Sequence, residues 1–430
     1  MTTSPDTPDL GRWQKQIFAL LWGSYASYYL CRVNFAVAQP EMLKEFTDWS
    51  SAQIGWIPSV YAACYAVGQF VNGQLGERFG ARRMMFSAMM VAGLANLAFA
   101  FTSSYPLMLA LWGLNGFSQS AGWSLVVKTI SNWTTAERRG VVIGLISTCY
   151  TVGNVVSWLM AGVLCETVGW RAAFWVPTLV IFPMGFLLAS FLRDDPTQAG
   201  LPHVRDDLAA AASGGAGAKA EGGLAVLRDM LKNRLLWVLA VAFFSMNGVR
   251  YAFMNWAVQY MADFHGRTIK GSAFTAVALP LIGSLGAVFA GWASDHLFGK
   301  RRAPVCAIML FGLALTCVGF VFVQKGDWLT AAALLGLAGF LIYGPDMLAS
   351  GAATVDVHPG AAAAATGFTM ATGAAGAIFS GAGIGWLKDA APALAGGALD
   401  QWAVVFLVLA GMSVVSTALM ASIWNAKPKG

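Results

Sequence analysis

Twelve apolar stretches, each long enough to cross a bilayer as a helix, decide what this chain can become. They lie at about 17–39, 54–76, 84–104, 106–130, 141–164 and 170–192, and then, after a polar gap, at about 235–260, 272–296, 303–323, 328–353, 363–387 and 401–424. A helix needs about 20 residues to traverse the hydrocarbon core. Lipid offers backbone groups no hydrogen bonds, so each stretch must satisfy its own as a helix. Only 11% of the residues are charged, where a soluble domain carries about a quarter. The expected fold class is all-α integral membrane, with twelve transmembrane helices in two six-helix bundles. The expected domains are residues 1–192, a cytoplasmic linker over 193–234 and residues 235–430. The linker contains an Ala/Gly-rich tract, Ala209 to Gly223, of the composition that makes flexible connectors.

Charge placement orients the chain. With the N-terminus on the cytoplasmic side, 18 of the 27 basic residues fall in inner segments and 6 in outer loops. Basic residues favour the cytoplasmic side, so both termini are expected there, in the cytoplasmic membrane. Met1 to Leu10 is short and polar and runs straight into the first stretch, so no removable signal peptide is expected. The six cysteines lie in or at the ends of apolar stretches without metal or redox spacing, and read as small apolar residues. No cofactor, metal or nucleic acid is expected, and no helix presents a catalytic constellation.

Three basic residues remain: Arg32, Lys128 and Arg250. Lys128 is near a cytoplasmic helix end, from which it can snorkel. Arg32 and Arg250 are stranded well inside their stretches, at a cost of about 3 kcal/mol each by insertion scales. Planar, permanently protonated guanidiniums suit a bound phosphate, and the pair is read as an anion site. The alternative is permanent pairing with buried acids, with Asp346 the main candidate. Asp346 is open to several readings: an ion pair with Arg250 or Lys128, a part in proton coupling, or contact with a substrate amine.

The two halves repeat. Arg32 to Arg250, Gly73 to Gly291 and Glu77 to Asp295 are each 218 residues apart, and Gly113-Leu-Asn-Gly-Phe117 returns 223 residues later as Gly336-Leu-Ala-Gly-Phe340. Parallel repeats of this kind place a transporter's site near the midplane. The bundles are therefore expected to be pseudo-symmetric, with the two arginines facing one another across a cavity. Polar residues in the spans are candidates to line it: Tyr29, Gln69, Tyr150 and Asn247 first, with Tyr25, Tyr28, Asn34, Asn115, Gln119, Trp123 and Asn154 open to either lining or packing.

The loop Gly73–Arg83, its degenerate copy at Gly291–Arg302 and the six-plus-six plan resemble the major facilitator superfamily. Within it the chain is similar to the organophosphate:phosphate antiporters of glycerol-3-phosphate, hexose-phosphate and phosphoglycerate. The residues that carry this likeness are Tyr28-Tyr29-Leu-Cys-Arg32-Val-Asn34-Phe35, Glu137-Arg-Arg-Gly140, Asn233 to Trp237, Val249-Arg250-Tyr251, Asn255-Trp256, Tyr343-Gly-Pro345 and Ala364 to Phe368. The resemblance implies that Arg32 and Arg250 bind the phosphoryl group. It also implies that Glu77, Arg82, Asp295 and Arg301 form gating charge locks at cytoplasmic helix ends. The chain departs from the family at Val33, Gln69, Tyr150 and Asn255, where members carry a basic residue, a lysine, a histidine and an acid. The expected activity is exchange of an organic phosphate for inorganic phosphate by a monomer in the bilayer. Two alternatives are a membrane sensor of a sugar phosphate and a proton-coupled carrier of another organic anion.

Overall fold

The computed structural model describes residues 10–202, 204, 234–299, 301–349, 362–394, 396 and 399–425. The described residues contain helices and no strand. In the first half these are α1 (Leu10–Leu30), α2 (Asn34–Glu45), α3 (Ser51–Phe79), α4 (Ala81–Phe101), α5 (Tyr105–Gln119), α6 (Ala121–Trp133), α7 (Ala136–Thr167), α8 (Ala172–Trp175) and α9 (Thr178–Phe191). In the second half they are α10 (Arg234–Asp263), α11 (Ile269–Ala276), α12 (Ala278–His296), α13 (Arg302–Val321), α14 (Trp328–Leu348), α15 (Ala362–Ile378), α16 (Ile384–Leu394) and α17 (Gln401–Ser422). Consecutive pieces join into the twelve expected spans.

Ten of the spans are long and apolar enough to cross a membrane as they stand. The other two are interrupted: the first at Cys31–Val33, between α1 and α2, and the fourth at Ser120, between α5 and α6. Large apolar side chains face outward, among them Phe70, Phe101, Val288 and Phe322, each more than 70% exposed. A water-soluble fold buries such groups; here hydrocarbon is the solvent.

Contact clustering gives two compact units. Unit 1 is Met1–Arg32, Cys64–Ser157 and Phe174–Glu221; unit 2 is Val33–Ala63, Trp158–Ala173 and Gly222–Gly430. The units therefore differ from the expected division at 192 and 235, because two segments of the first sequence half pack into the unit built mainly from the second. The expected linker, 193–234, lies largely outside the described residues. Its start forms a single tight turn, Pro196–Ala199, capped by the Asp195 side chain.

Inside unit 2 the contacts that draw in those segments are specific. The Asp389 carboxylate accepts from the Ser51 and Ala52 amides at 3.0 and 2.8 Å, where it caps the start of α3. Ser59 Oγ donates to the Ile378 carbonyl at 2.6 Å and accepts from the Ala382 amide at 2.8 Å. A Cβ on Gly55 would collide with the Gly381 backbone, and one on Gly381 with that of Gly55. Glu166 accepts from the Lys270 amide at 3.0 Å, and Gln39 donates to Gln259. Small residues let helix backbones touch, which is how spans associate where no hydrophobic force separates protein from solvent.

Candidate anion-binding site

The first candidate residue lies where its helix fails. The amides of Cys31 and Arg32 bond to the carbonyls of Tyr28 and Tyr29, three residues back, so the last turn of α1 tightens before the chain restarts at α2. A broken span leaves carbonyls without helical donors, and in lipid these must be satisfied otherwise. The Cys31 carbonyl accepts from Asn96 Nδ2 at 3.1 Å, Asn115 Nδ2 at 2.8 Å and Gln119 Nε2 at 3.1 Å. All three amide side chains are fully buried. Gln119 turns its other atom to the arginine: Arg32 Nε donates to Gln119 Oε1 at 3.0 Å. The guanidinium lies 4.8 Å from the Tyr29 ring centroid, 5.1 Å from that of Tyr65 and 6.0 Å from that of Tyr25. Aromatic faces stabilise a cation in a poorly solvated place.

The second candidate, Arg250, is within unbroken α10. Its Nη1 donates to Asp346 Oδ2 at 2.5 Å, and the two side chains are 26% and 21% exposed. The guanidinium lies 5.2 Å from the Tyr251 centroid and 5.4 Å from that of Tyr343. The repeat is thus carried into three dimensions within each unit. In unit 1 an arginine of the first span meets tyrosines and a polar residue of the fourth. In unit 2 an arginine of the seventh meets tyrosines and a polar residue of the tenth. The polar partners differ: a neutral amide for Arg32 and a carboxylate for Arg250. Asp346 stands 223 residues after Trp123, which is one helical turn beyond Gln119.

The other sequence candidates divide. Tyr25, Tyr29, Trp123 and Tyr150 form one aromatic cluster beside Arg32, with ring centroids 4.8–6.2 Å apart. Gln69 is exposed on α3, one turn beyond Tyr65. Tyr28 is buried and its hydroxyl donates to the Met85 carbonyl at 3.2 Å, while Asn34 donates to the Ala173 carbonyl at 2.9 Å; both fasten helices. Asn154 is buried. Asn247 donates back to the Phe243 carbonyl at 3.1 Å and packs on Gly373. Asn255 and Trp256 both bond to Ser380, at 3.1 and 2.7 Å, and so anchor α10 to the wide turn Phe379–Gly383.

Of the expected charge locks, Glu77 pairs with Lys128 at 2.7 Å and so links the second span to the fourth. The Arg82 amide donates to Asp194 Oδ1 at 2.8 Å and its Nε to the Ala189 carbonyl at 2.5 Å. Asp295 is exposed and makes no ion pair among the described residues. Arg301 Nε donates to the Phe298 carbonyl at 3.1 Å.

Sequence reasoning missed two features. Asn96 gave only the weak signal of an amide within an apolar stretch. Lys388, counted among the outer-loop cations, is 2% exposed within α16; it pairs with Asp263 at 3.2 Å and lies 4.1 Å from the Trp402 ring centroid. Its signal was that it follows the apolar Trp386-Leu387 directly and runs on into Asp389-Ala390-Ala391 with no glycine or proline to end the helix there. Among the described residues no group of acids, histidines and cysteines is arranged to hold a metal ion.

Residues 21–381 match the family model described as Major Facilitator Superfamily. The chain is 29% identical over 433 residues to the "Probable hexose phosphate transport protein" of Chlamydia pneumoniae, covering 97% of this chain and 92% of that one. It is 30% identical over 419 residues to the "Membrane sensor protein UhpC" of Salmonella typhimurium, covering 96% and 92%. Among solved structures, a bacterial homologue of the human lysosomal transporter Spinster superposes with a TM-score of 0.75 at 14% identity, over 99% of this chain and 100% of that one, a likeness of fold alone.

Proposed function

Because the chain belongs to the major facilitator superfamily and, within it, to the organophosphate:phosphate antiporter family, we propose that it carries an organic phosphate across the membrane in exchange for inorganic phosphate by alternating access. The phosphoryl group is held by Arg32 and Arg250. One observation carries this reading: two arginines at equivalent points of an internal repeat, each half-buried in a span, each among tyrosine faces and each tied to a polar residue of the fourth span of its own half. A purely structural arginine has no reason to recur in this way. Both termini lie on the cytoplasmic side of the inner membrane, and the contacts of Asp389, Ser59 and Gly381 close the outer end. Glu77, Arg82, Asp295 and Arg301 belong to the inner end, where they bias the two conformations; Gln69, Tyr150 and Asn247 shape the substrate's surroundings. The protein works as a monomer.

The test is phosphate counterflow. Purified protein in liposomes loaded with inorganic phosphate is expected to take up labelled phosphate. Arg32→Lys and Arg250→Lys, which keep the charge but lose the planar fork, are expected to slow exchange on the order of a hundredfold, about 3 kcal/mol. Exchange that survives both substitutions removes the arginines from the site, and folded wild type without exchange removes antiport. The second reading, a sensor that binds a sugar phosphate and signals, is favoured by the likeness to the membrane sensor protein of Salmonella typhimurium; binding without transport would support it.

A further inference from the structure

We propose that unit 1 carries a second anion site, apart from Arg32: a groove at the ends of α4 and α9 that binds the phosphate of an anionic phospholipid. The groove measures about 610 Å³, within the range of small-molecule sites, about 300–1,000 Å³. It is lined by Phe79, Arg82, Arg83 and Phe86 around the start of α4, and by Arg193 and Asp194 beyond the end of α9. All of these residues belong to unit 1.

The charges in the groove do not cancel. Its carboxylate, Asp194, is committed to backbone. Oδ1 accepts from the Arg82 amide at 2.8 Å, and Oδ2 lies where a Cβ on Gly80 would come within 2.5 Å. Gly80 has a φ of 82°, so the turn suits glycine on both counts, and the carboxylate caps the start of α4. Two of the three guanidiniums are steadied by carbonyls. Arg82 Nε donates to the Ala189 carbonyl at 2.5 Å, and Arg193 Nη1 donates to those of Ser190 and Leu192 at 3.1 and 2.9 Å. Arg83 is exposed and forms no ion pair among the described residues. Three permanent cations against one occupied carboxylate, with guanidinium donors to spare, suit a phosphate oxygen.

The neighbouring surface makes the ligand a lipid. The Phe86 and Phe186 rings pack with centroids 5.5 Å apart, and Phe186, Leu187 and Phe191 are exposed. They lie on the membrane spans Ala81–Phe101 and Ala172–Phe191, where exposed apolar side chains meet hydrocarbon. The groove is therefore basic at the ends of two spans and continuous with an apolar face along them. A phospholipid has the same order, a phosphate followed by acyl chains, and basic pockets between spans take anionic headgroups. A free phosphate ion would use the basic end alone.

The test is lipid binding by delipidated full-length protein in detergent, followed by native mass spectrometry and by melting temperature. The probes are phosphatidylglycerol, phosphatidylcholine and inorganic phosphate. The proteins are wild type, Arg83→Gln with Arg193→Gln, and Arg12→Gln with Lys15→Gln, which removes two cations of α1 outside the groove. Wild type is expected to hold one phosphatidylglycerol tightly, with a raised melting temperature, and phosphatidylcholine only weakly. The groove variant is expected to lose roughly thirtyfold in affinity for phosphatidylglycerol, at about 1 kcal/mol for each cation removed, and the α1 variant to bind as wild type does. Phosphatidylcholine that binds wild type as tightly as phosphatidylglycerol overturns the proposal without any variant, so a groove variant that fails to fold leaves this arm decisive. An equal loss in the α1 variant also overturns it, as an effect of general surface charge. A melting-temperature rise with inorganic phosphate that the groove variant lacks, in a protein with no tight phosphatidylglycerol site, assigns the groove to the free ion and overturns the lipid. Counterflow, which decides the transport reading, plays no part in these arms, so either reading can fail alone.

Discussion

Gln119 shows how much one neutral side chain does in this protein. Its amide nitrogen completes the Cys31 carbonyl and its oxygen takes the Arg32 Nε–H. Gln119→Glu places a carboxylate against Arg32 and makes the first half-site resemble the second. It is expected to weaken phosphate binding about tenfold and, because the second carboxylate oxygen cannot donate to the Cys31 carbonyl, to cost about 1–3 kcal/mol of stability, as read by phosphate titration of the purified protein alongside its melting curve. Unchanged affinity would mean that Arg32 does not meet the anion. Gln119→Leu removes both bonds and is expected to cost about 1–3 kcal/mol of stability. The arginines themselves were legible in the sequence, because a cation within an apolar stretch is conspicuous wherever it occurs. The bridging role of Gln119 was not: it stood among a group of polar residues, and its direction depends on Cys31 and Arg32, some 87 residues away along the chain. Asp346 fell between these cases, since its charge was visible but its choice between Arg250 and Lys128 was not. Lys128 turned instead to Glu77.

At the scale of helices, the number of spans and their order could be read from hydropathy, and the interruptions could not. Residues 31–33 contain neither glycine nor proline, and the apolar stretch reads through them unbroken. The break is sustained from outside by Asn96, Asn115 and Gln119, so it is a property of assembled spans. Asn115 supplies the shortest of the three bonds, 2.8 Å. Asn115→Leu is expected to destabilise the protein by about 1–2 kcal/mol, measurable as a lowered melting temperature in detergent; no change would mean that two donors suffice. The two-pronged cap by Asp389 at the start of α3 is expected to contribute about 1 kcal/mol, and Asp389→Asn should lose most of it. Beyond the apolar stretch that ends at Gln39, Arg171 donates to both carboxylate oxygens of Glu45, at 2.6 and 2.7 Å. These bonds hold the Glu45 carboxyl below its ordinary range. A depressed carboxyl stabilises the fold above its unfolded pKa, and the contribution is lost as pH falls through the folded one. Glu45→Gln should therefore be less stable than wild type at neutral pH, by under about 1 kcal/mol for so exposed a pair. The difference should vanish in acid; one that persists there would point to packing as its cause.

For the molecule as a whole, the sequence repeat divides the chain in two halves, and the compact units do not follow that division. Residues 33–63 and 158–173 belong to unit 2 because contacts such as Gly55 with Gly381 and Ser51 with Asp389 outweigh their continuity with the rest of the first half. Hydropathy carries no record of this, since tertiary pairing of spans leaves no period in the sequence. If these contacts form and dissolve during each transport cycle, a covalent bond across them stops the cycle. In a background lacking the six native cysteines, all of which are free, Ser51→Cys with Asp389→Cys is expected to abolish counterflow on oxidation and to recover it on reduction. A cross-linked protein that still exchanges phosphate would show that this end does not open. The helix break at Arg32 has a further consequence, for biosynthesis. Its carbonyl is satisfied by side chains of the third and fourth spans, which leave the ribosome after the first span has entered the bilayer. Until they arrive, lipid admits only an unbroken helix there. Backbone amide exchange in a fragment ending at Gly80 would then find residues 31–33 protected as a continuous helix. The first span thus enters the membrane in one conformation and is refolded into another by the third and fourth.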